Sequence, residues 1–229
     1  VGLGGERIVD KKQILKSVDH TLLRQDAGWE QIRQLCEEAL EFGTASVCIP
    51  PSFVRRAAEL TGGRLVIDTV VGFPNGYSTT AAKAFEAEEL IRQGADELDM
   101  VINLGDVRDR RFDRILQEIR TLKELCGPRI LKVIVETCLL TEEEKKTLCL
   151  LTAESGADYI KTSTGFAGRG ASFADVSLFA RTIGDGKLRI KAAGGIGTFE
   201  DASRFLELGA SRIGASRLVA LYREELQHG

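Results

Sequence analysis

Four times along the chain a glycine closes a helical stretch, small residues follow, and a strand begins. The four places are Gly43-Thr44-Ala45-Ser46, Gly94-Ala95-Asp96-Glu97, Gly156-Ala157-Asp158-Tyr159 and Gly209-Ala210-Ser211-Arg212. Glycine at such a turn supplies the left-handed conformation that ends a helix. The glycines lie 51, 62 and 53 residues apart, which is room for two strand–helix units in each interval. The four turns therefore feed alternate strands of a repeating architecture. Counting five residues on from each glycine reaches Cys48, Asp99, Lys161 and Gly214. In a barrel, alternate strands contribute side chains to one interior layer. Equivalent turns would then place a thiol, a carboxylate, an ammonium and a gap without a side chain at one level. Two opposite charges on otherwise apolar strands point to a wet active-site layer.

The rest of the chain agrees with that reading. Short β-branched runs fall at residues 17–22, 45–49, 65–71, 97–103, 130–137, 159–164, 189–193 and 212–215. Helical periodicity lies between them at 29–42, 79–93, 111–125, 141–155, 174–183, 199–208 and 217–226. Thr141 and Glu144 have the spacing of a capping box. Eight alternations predict an α/β fold, a single (β/α)8 TIM barrel occupying residues 1–229, with 1–10 as a flexible N-terminal segment rich in glycine. The competing open, doubly wound sheet expects a glycine-rich turn after its first strand. Here that place holds Leu23-Arg24-Gln25-Asp26.

Composition narrows the chemistry. Hydrophobic residues make up 43% and charged residues 28% of 229, which fits a globular chain and excludes disordered and fibrous classes. No apolar run is long enough to span a bilayer, and the N-terminus, which starts at Val1 as a processed or artificially started chain would, has no signal-peptide pattern. A formal charge of −3 argues against a nucleic-acid surface. The five cysteines are scattered and never spaced C-x-x-C, as expected of reduced thiols in the cytoplasm. His20 and His228 are the only histidines, so a histidine-rich metal site is not expected, and no cofactor is implied. His20 lies between Asp19 and Thr21 on a strand, where its ring should face away from both. Cys36, Cys126, Cys138 and Cys149 read as packing residues, Trp29 as a packing anchor, and residues 142–146 as a solvated helix face.

Three lysines sit within strands: Lys132, Lys161 and Lys191. An ammonium in such a place is costly unless paired. Neighbouring barrel strands lie ~4.8 Å apart, so inward-facing Lys161 and Lys191 would be close neighbours. A nearby cation and desolvation both free an amine for attack on a carbonyl. Asp99, in the same layer, would orient Lys191 and pass protons. The turns Ser163-Thr164-Gly165 and Ala193-Gly194-Gly195-Ile196-Gly197, with Ser216 after the last strand, can offer backbone N–H groups to a phosphate on the side of the mouth where barrels bind one. No P-loop sequence is present, so a nucleotide triphosphate is not implied.

Taken together, these segments resemble the deoxyribose-phosphate aldolase family. The likeness is carried by Val18-Asp19-His20-Thr21-Leu22, Val47-Cys48-Ile49-Pro50, Val71-Gly72-Phe73-Pro74, the run from Glu97 to Asn103, Lys132-Val133-Ile134-Val135-Glu136-Thr137, Lys161-Thr162-Ser163-Thr164-Gly165, Lys191-Ala192-Ala193-Gly194-Gly195 and Gly214-Ala215-Ser216. It covers residues 10–226. The resemblance implies a class I aldolase that reversibly cleaves 2-deoxy-D-ribose 5-phosphate to acetaldehyde and D-glyceraldehyde 3-phosphate. It places the Schiff-base lysine on Lys161 and the proton donor/acceptor pair on Asp99 and Lys191. Helper positions fall on Asp19, Thr21, Cys48 and Thr164, and phosphate contacts on Gly165, Gly194, Gly195 and Ser216. The implied partners are sugar phosphate and aldehyde substrates, with a homodimer as the assembly and neither nucleic acid nor membrane. Where some relatives have a second serine or a lysine, this chain has Arg217 and Phe166.

Three rival readings predict different residues. A phosphate-binding barrel isomerase or synthase working with carboxylates has no need of both strand lysines. A non-catalytic sugar-phosphate binder would be free to lose Asp99, Lys161 or Lys191, and all three are present. A metal-dependent aldolase would need more histidines.

Overall fold

A computed structural model describes residues 10–228. Eight parallel strands close into a barrel in chain order. They are β1 (Val18–Thr21), β2 (Ser46–Ile49), β3 (Ile67–Val71), β4 (Glu97–Val101), β5 (Ile130–Ile134), β6 (Tyr159–Lys161), β7 (Arg189–Ala193) and β8 (Arg212–Ala215). Around them run α1 (Lys11–Leu15), α2 (Trp29–Phe42), α3 (Val54–Thr61), α4 (Thr80–Gln93), α5 (Leu104–Arg108), α6 (Phe112–Cys126), α7 (Glu142–Ser155), α8 (Phe173–Ile183), α9 (Phe199–Glu207) and α10 (Leu218–His228). Of the segment expected to be flexible, residues 1–9 lie outside the described residues. Asp10 is instead the cap of α1, its carboxylate accepting from the Gln13 amide at 3.0 Å.

Three helices were not anticipated from the sequence. α1 and α5 span 5 residues each, too short to show a period. α3 follows Pro50 and Pro51, whose turn chemistry masks its start. Six strands are shorter than expected, β5 and β6 the most, each by three residues. β5 stops at Ile134 because Glu136 takes up a left-handed backbone (φ 56°) and a 3-10 turn follows. β6 stops at Lys161, and Thr162–Thr164 already belong to the mouth of the barrel.

The four repeated turns act as register devices. Gly43, Gly94, Gly156 and Gly209 all have positive φ, between 67° and 110°. Two residues after each, a backbone N–H donates to the strand before it: Ala45 to Val18 O, Asp96 to Ile67 O, Asp158 to Leu131 O and Ser211 to Ile190 O, at 2.8–3.0 Å. The Asp96 and Asp158 carboxylates also accept from the amides of Ile67 and Leu131, both at 2.9 Å. Each even strand is thereby locked to its odd neighbour with the same offset.

That offset produces three interior layers. β2, β4, β6 and β8 supply Ser46, Glu97, Tyr159 and Arg212 at the lower level and Cys48, Asp99, Lys161 and Gly214 at the upper level. β1, β3, β5 and β7 place Asp19, Asp68, Lys132 and Lys191 between them, each having one lower and one upper residue as register partner. Barrel interiors are usually filled by branched apolar side chains. Here the apolar core lies outside the barrel wall, where Ile67, Leu98, Met100, Val133, Ile160 and Ile190 meet the inner faces of the helices. The interior itself is charged.

Candidate active site

Ionic contacts organise the barrel interior. Lys132 Nζ lies 2.7 Å from Asp99, 2.7 Å from Glu97 and 2.9 Å from Asp68. Lys191 Nζ lies 2.5 Å from Asp19, 2.7 Å from Asp99 and 3.1 Å from Asp68. Lys161 Nζ makes a single carboxylate contact, 2.7 Å to the same Asp99 Oδ2 that Lys191 holds. Below, Arg212 bridges Asp19 and Glu97 at 2.6 and 3.0 Å. Four carboxylates face four cations, so the described interior is neutral when all eight are ionised.

Burial and these charges set the ionic states. Burial alone would raise the Asp99 carboxyl, but the three lysines around it hold it well below its ordinary value. Asp19 is likewise held low against burial, chiefly by Lys191. Burial would lower Lys191, yet Asp19, Asp68 and Asp99 keep it well above the ordinary lysine range. Lys132 is raised by the same balance. Asp68 goes the other way: burial, then the charge of Asp99, push it up to about 6 in spite of Lys132 and Lys191.

Above the charged layers opens a cavity of about 700 Å³. Lys161 lies at its floor, and Thr21, Thr164, Gly165, Gly194, Gly195 and Ser216 line its wall. Gly165, Gly194 and Gly195 have φ of 86°, 87° and 77°. A Cβ on Gly165 or Gly195 would meet nothing within 4 Å, so both backbones border open space that a ligand can enter. Gly194 differs, because its Cβ would come 3.0 Å from Gly170 Cα. The loop before α8 rests there on the β7 turn, with the Ala171 amide donating to Ala193 O and Gly194 O at 3.0 and 3.1 Å. Arg24 and Arg217 add positive charge to the rim.

The residues singled out from sequence thus divide into two groups. Lys161, Thr21, Thr164, Gly165, Gly194, Gly195 and Ser216 meet at the cavity. Asp99 lies at the level of Lys161 and Lys191 one level lower, both fully buried. Asp19 and Cys48 do not reach the cavity lining. Asp19 is a counter-ion for Lys191 and Arg212, and Cys48 is a buried thiol that burial holds well above its ordinary value. The Thr21 hydroxyl donates to Asp19 O at 2.7 Å. The Thr164 hydroxyl donates to Glu136 and accepts from the Phe166 amide at 3.0 Å, so toward a ligand it retains only acceptor capacity. His20 turns outward as expected and meets Glu38 at 2.9 Å.

Sequence reasoning missed Asp68, Glu97, Arg212 and Glu136. The first three were open to the argument applied to the lysines, since each is a charge on an apolar strand. Glu136 could not be found that way, because its left-handed backbone leaves no mark on strand periodicity. The Asp19, Asp68, Glu97 and Asp99 oxygens are already engaged by ammonium and guanidinium groups, which a divalent cation would have to displace.

Comparison with known proteins bears on what this arrangement serves. Residues 13–226 match the model of the DeoC/LacD family aldolases. A deoxyribose-phosphate aldolase of Streptococcus pyogenes serotype M4 is 55% identical over 217 residues, covering 95% of this chain and 97% of the relative. The corresponding protein of Streptococcus agalactiae serotype Ia is 54% identical over the same coverage. A tetrameric deoxyribose phosphate aldolase from Aeropyrum pernix superposes with a TM-score of 0.88 at 27% identity, covering 97% of this chain and 95% of that one. With the charged barrel and its mouth in place, these likenesses settle the family: the chain belongs to the DeoC/LacD aldolases and is a carbon–carbon lyase.

Proposed function

We propose that the enzyme reversibly cleaves 2-deoxy-D-ribose 5-phosphate to acetaldehyde and D-glyceraldehyde 3-phosphate through an imine on Lys161. One observation carries the assignment of the lysine. Of the three interior lysines, only Lys161 lines the cavity, and it has one carboxylate partner where Lys132 and Lys191 have at least three. Lys132 and Lys191 are held as cations and have no lone pair to offer, which leaves Lys161 as the nucleophile.

The chemistry follows from the positions. The Lys161 amine adds to the C1 aldehyde of the open-chain sugar, and loss of water gives an iminium. That cation draws electrons as the C2–C3 bond breaks and the C3 hydroxyl loses its proton. Glyceraldehyde 3-phosphate departs, leaving an enamine. Protonation at C2 and hydrolysis release acetaldehyde and restore the amine. Asp99 and Lys191 share a contact next to Lys161 Nζ and serve the proton transfers. Gly165, Gly194, Gly195 and Ser216 hold the phosphate at the cavity wall, where backbone amides and the N-terminus of α9 favour an anion.

The homodimer and the cytoplasmic setting implied by the family resemblance belong to the same proposal. All five cysteines are unpaired, which supports a reducing compartment. No described helix is long and apolar enough to cross a membrane.

The decisive experiment is reductive trapping. Acetaldehyde with borohydride should leave an N-ethyl group on Lys161, read by intact mass and peptide mapping. Lys161→Arg should abolish it, because a guanidinium stays protonated. An adduct mapped to Lys132 or Lys191 would overturn the assignment.

A further inference from the structure

An amine must lose a proton before it can attack, and the barrel interior has a group placed to receive that proton. Asp68 is completely buried at the middle level and does not line the cavity. The mechanism above gives it no task. It is faced by Cys48 on β2, by Asp19 on β1, by Glu97 and Asp99 on β4, by Lys132 on β5 and by Lys191 on β7. A continuous path joins it to the nucleophile: Lys161 Nζ to Asp99 Oδ2 at 2.7 Å, Asp99 Oδ2 to Lys191 Nζ at 2.7 Å, and Lys191 Nζ to Asp68 Oδ2 at 3.1 Å.

Building on the assignment of Lys161 as the imine-forming lysine, we infer that Asp68 is an internal proton acceptor, taking the Lys161 proton along this path before attack and returning it when water is lost. The steps balance. Lys191 gives one proton to Asp68 and takes one from Asp99, which has taken one from the Lys161 ammonium. Afterwards Lys161 is a free amine, Asp99 is again a carboxylate, Lys191 is again an ammonium and Asp68 is a neutral acid. Four charges of each sign have become three of each sign, so the interior stays neutral and no proton crosses to solvent. The amine lone pair then forms the C–N bond to the aldehyde carbon. As the carbinolamine hydroxyl departs, the Asp68 proton returns by the same contacts and leaves with it as water. The nitrogen lone pair completes the C=N bond.

The choice of Asp68 over its neighbours rests on their environments. Asp19 and Asp99 lie among cations that keep them ionised, whereas Asp68 faces three carboxylates, Asp19, Glu97 and Asp99, and burial and Asp99 push it up to about 6 against Lys132 and Lys191. Protonating Asp68 removes a repulsion with Asp99, and deprotonating Lys161 removes a cation. Each change favours the other.

Infrared difference spectra of the parent enzyme at pH 6, with and without acetaldehyde and with aspartate carboxyl carbons isotopically labelled, test this directly. We expect a protonated-aspartate band in the free enzyme that disappears as the imine forms. No such band at rest, or a band unchanged while borohydride captures the adduct, overturns the role. Asp68→Asn provides the second arm. A permanently neutral group there mimics the acceptor after it has taken the proton, so the amine should persist at lower pH. The acid limb of trapping should move down by about one pH unit, the low end of what one neighbouring charge does. A merely structural role would lower the melting temperature without moving that limb, and this outcome also overturns the proposal. If the asparagine variant does not fold, the spectra of the parent decide. A parent enzyme that forms no adduct on Lys161 defeats the lysine assignment as well, and the trapping control reports that separately.

Discussion

Gly195 offers the sharpest test of the phosphate site. Its φ of 77° is strained for any side chain, and a Cβ there meets nothing within 4 Å. A substituent therefore projects into the cavity without striking protein. The left-handed backbone should cost ~1–2 kcal/mol of stability, a loss that a typical domain with ~5–15 kcal/mol survives. Hydrogen bonds to a charged group contribute ~1.5–3 kcal/mol each. Displacing the phosphate from two amides would thus remove ~3–6 kcal/mol of transition-state binding, or ~10²–10⁴-fold in kcat/KM. Gly195→Ala measures the strain alone, and Gly195→Val adds the obstruction. The assay compares kcat/KM for deoxyribose 5-phosphate and for unphosphorylated deoxyribose, alongside a thermal melt and acetaldehyde trapping. The parent should prefer the phosphorylated sugar by at least ~10²-fold, and the valine variant should lose most of that preference while still trapping acetaldehyde on Lys161. Because binding energy remote from the reacting bond also positions it, kcat should fall together with affinity. Equal loss on both sugars, or a parent that cleaves the two within about tenfold of each other, would refute a phosphate cradle at this turn. Gly194 is a poorer probe, since its Cβ would press on Gly170 and disturb the loop itself.

Further perturbations separate structural from chemical roles. Asp99→Asn should still allow trapping on Lys161, at a lower rate because the path to Asp68 is interrupted, and should slow hydrogen exchange at the acetaldehyde methyl. It should also lower stability by ~3–5 kcal/mol, because three ammonium groups lose a shared buried partner; a melting temperature equal to the parent's would show that count to be wrong. Outside the barrel, fully buried Lys83 donates to Val101 O at 2.8 Å and to Glu118 at 2.7 Å. Lys83→Met should cost ~3–5 kcal/mol in a denaturant melt and leave activity per folded molecule unchanged, and a near-neutral melt would mean that Glu118 finds another partner. The hydrogen bond from His20, then those from Gln34 and the charge of Arg223, hold Glu38 at about 2 against an ordinary value of 4.5, with burial opposing. A lowered carboxyl stabilises the fold above its unfolded value, and that contribution is lost as pH falls through the folded one. Glu38→Gln should therefore be less stable than the parent at pH 7, by about 1–2 kcal/mol after solvent screening. The difference should vanish between about pH 4.5 and pH 2, and a gap independent of pH would exclude this source.

How much of this could be read along the chain depends on the range of the interaction that decided it. Helix α2 matched its expected limits, Trp29–Phe42, because its apolar period and Gly43 are local signals. The Thr141–Glu144 capping box is equally local and formed as expected, at 2.7 and 3.2 Å. The fourfold glycine turn reached further, since one repeated short-range contact sets the same offset between strand pairs. For that reason Cys48, Asp99, Lys161 and Gly214 could be assigned to one level before any contact was known.

Closure of the barrel decided the rest. Period-2 alternation says which residues of a strand share a face, but the stagger between strands sets their height. The sequence shows Lys132, Lys161 and Lys191 as three similar anomalies. Only the closed sheet places Lys161 at the upper level on the cavity and sinks the other two among Asp19, Asp68, Glu97 and Asp99. Cys48 and Asp19 belong to the right strands, yet both are fully buried and lie outside the cavity lining. Asp68 gains its character from burial and from Asp99, with two lysines that lie 64 and 123 residues further along the chain opposing them. The ionic state of a buried group is a sum over neighbours that no local window contains.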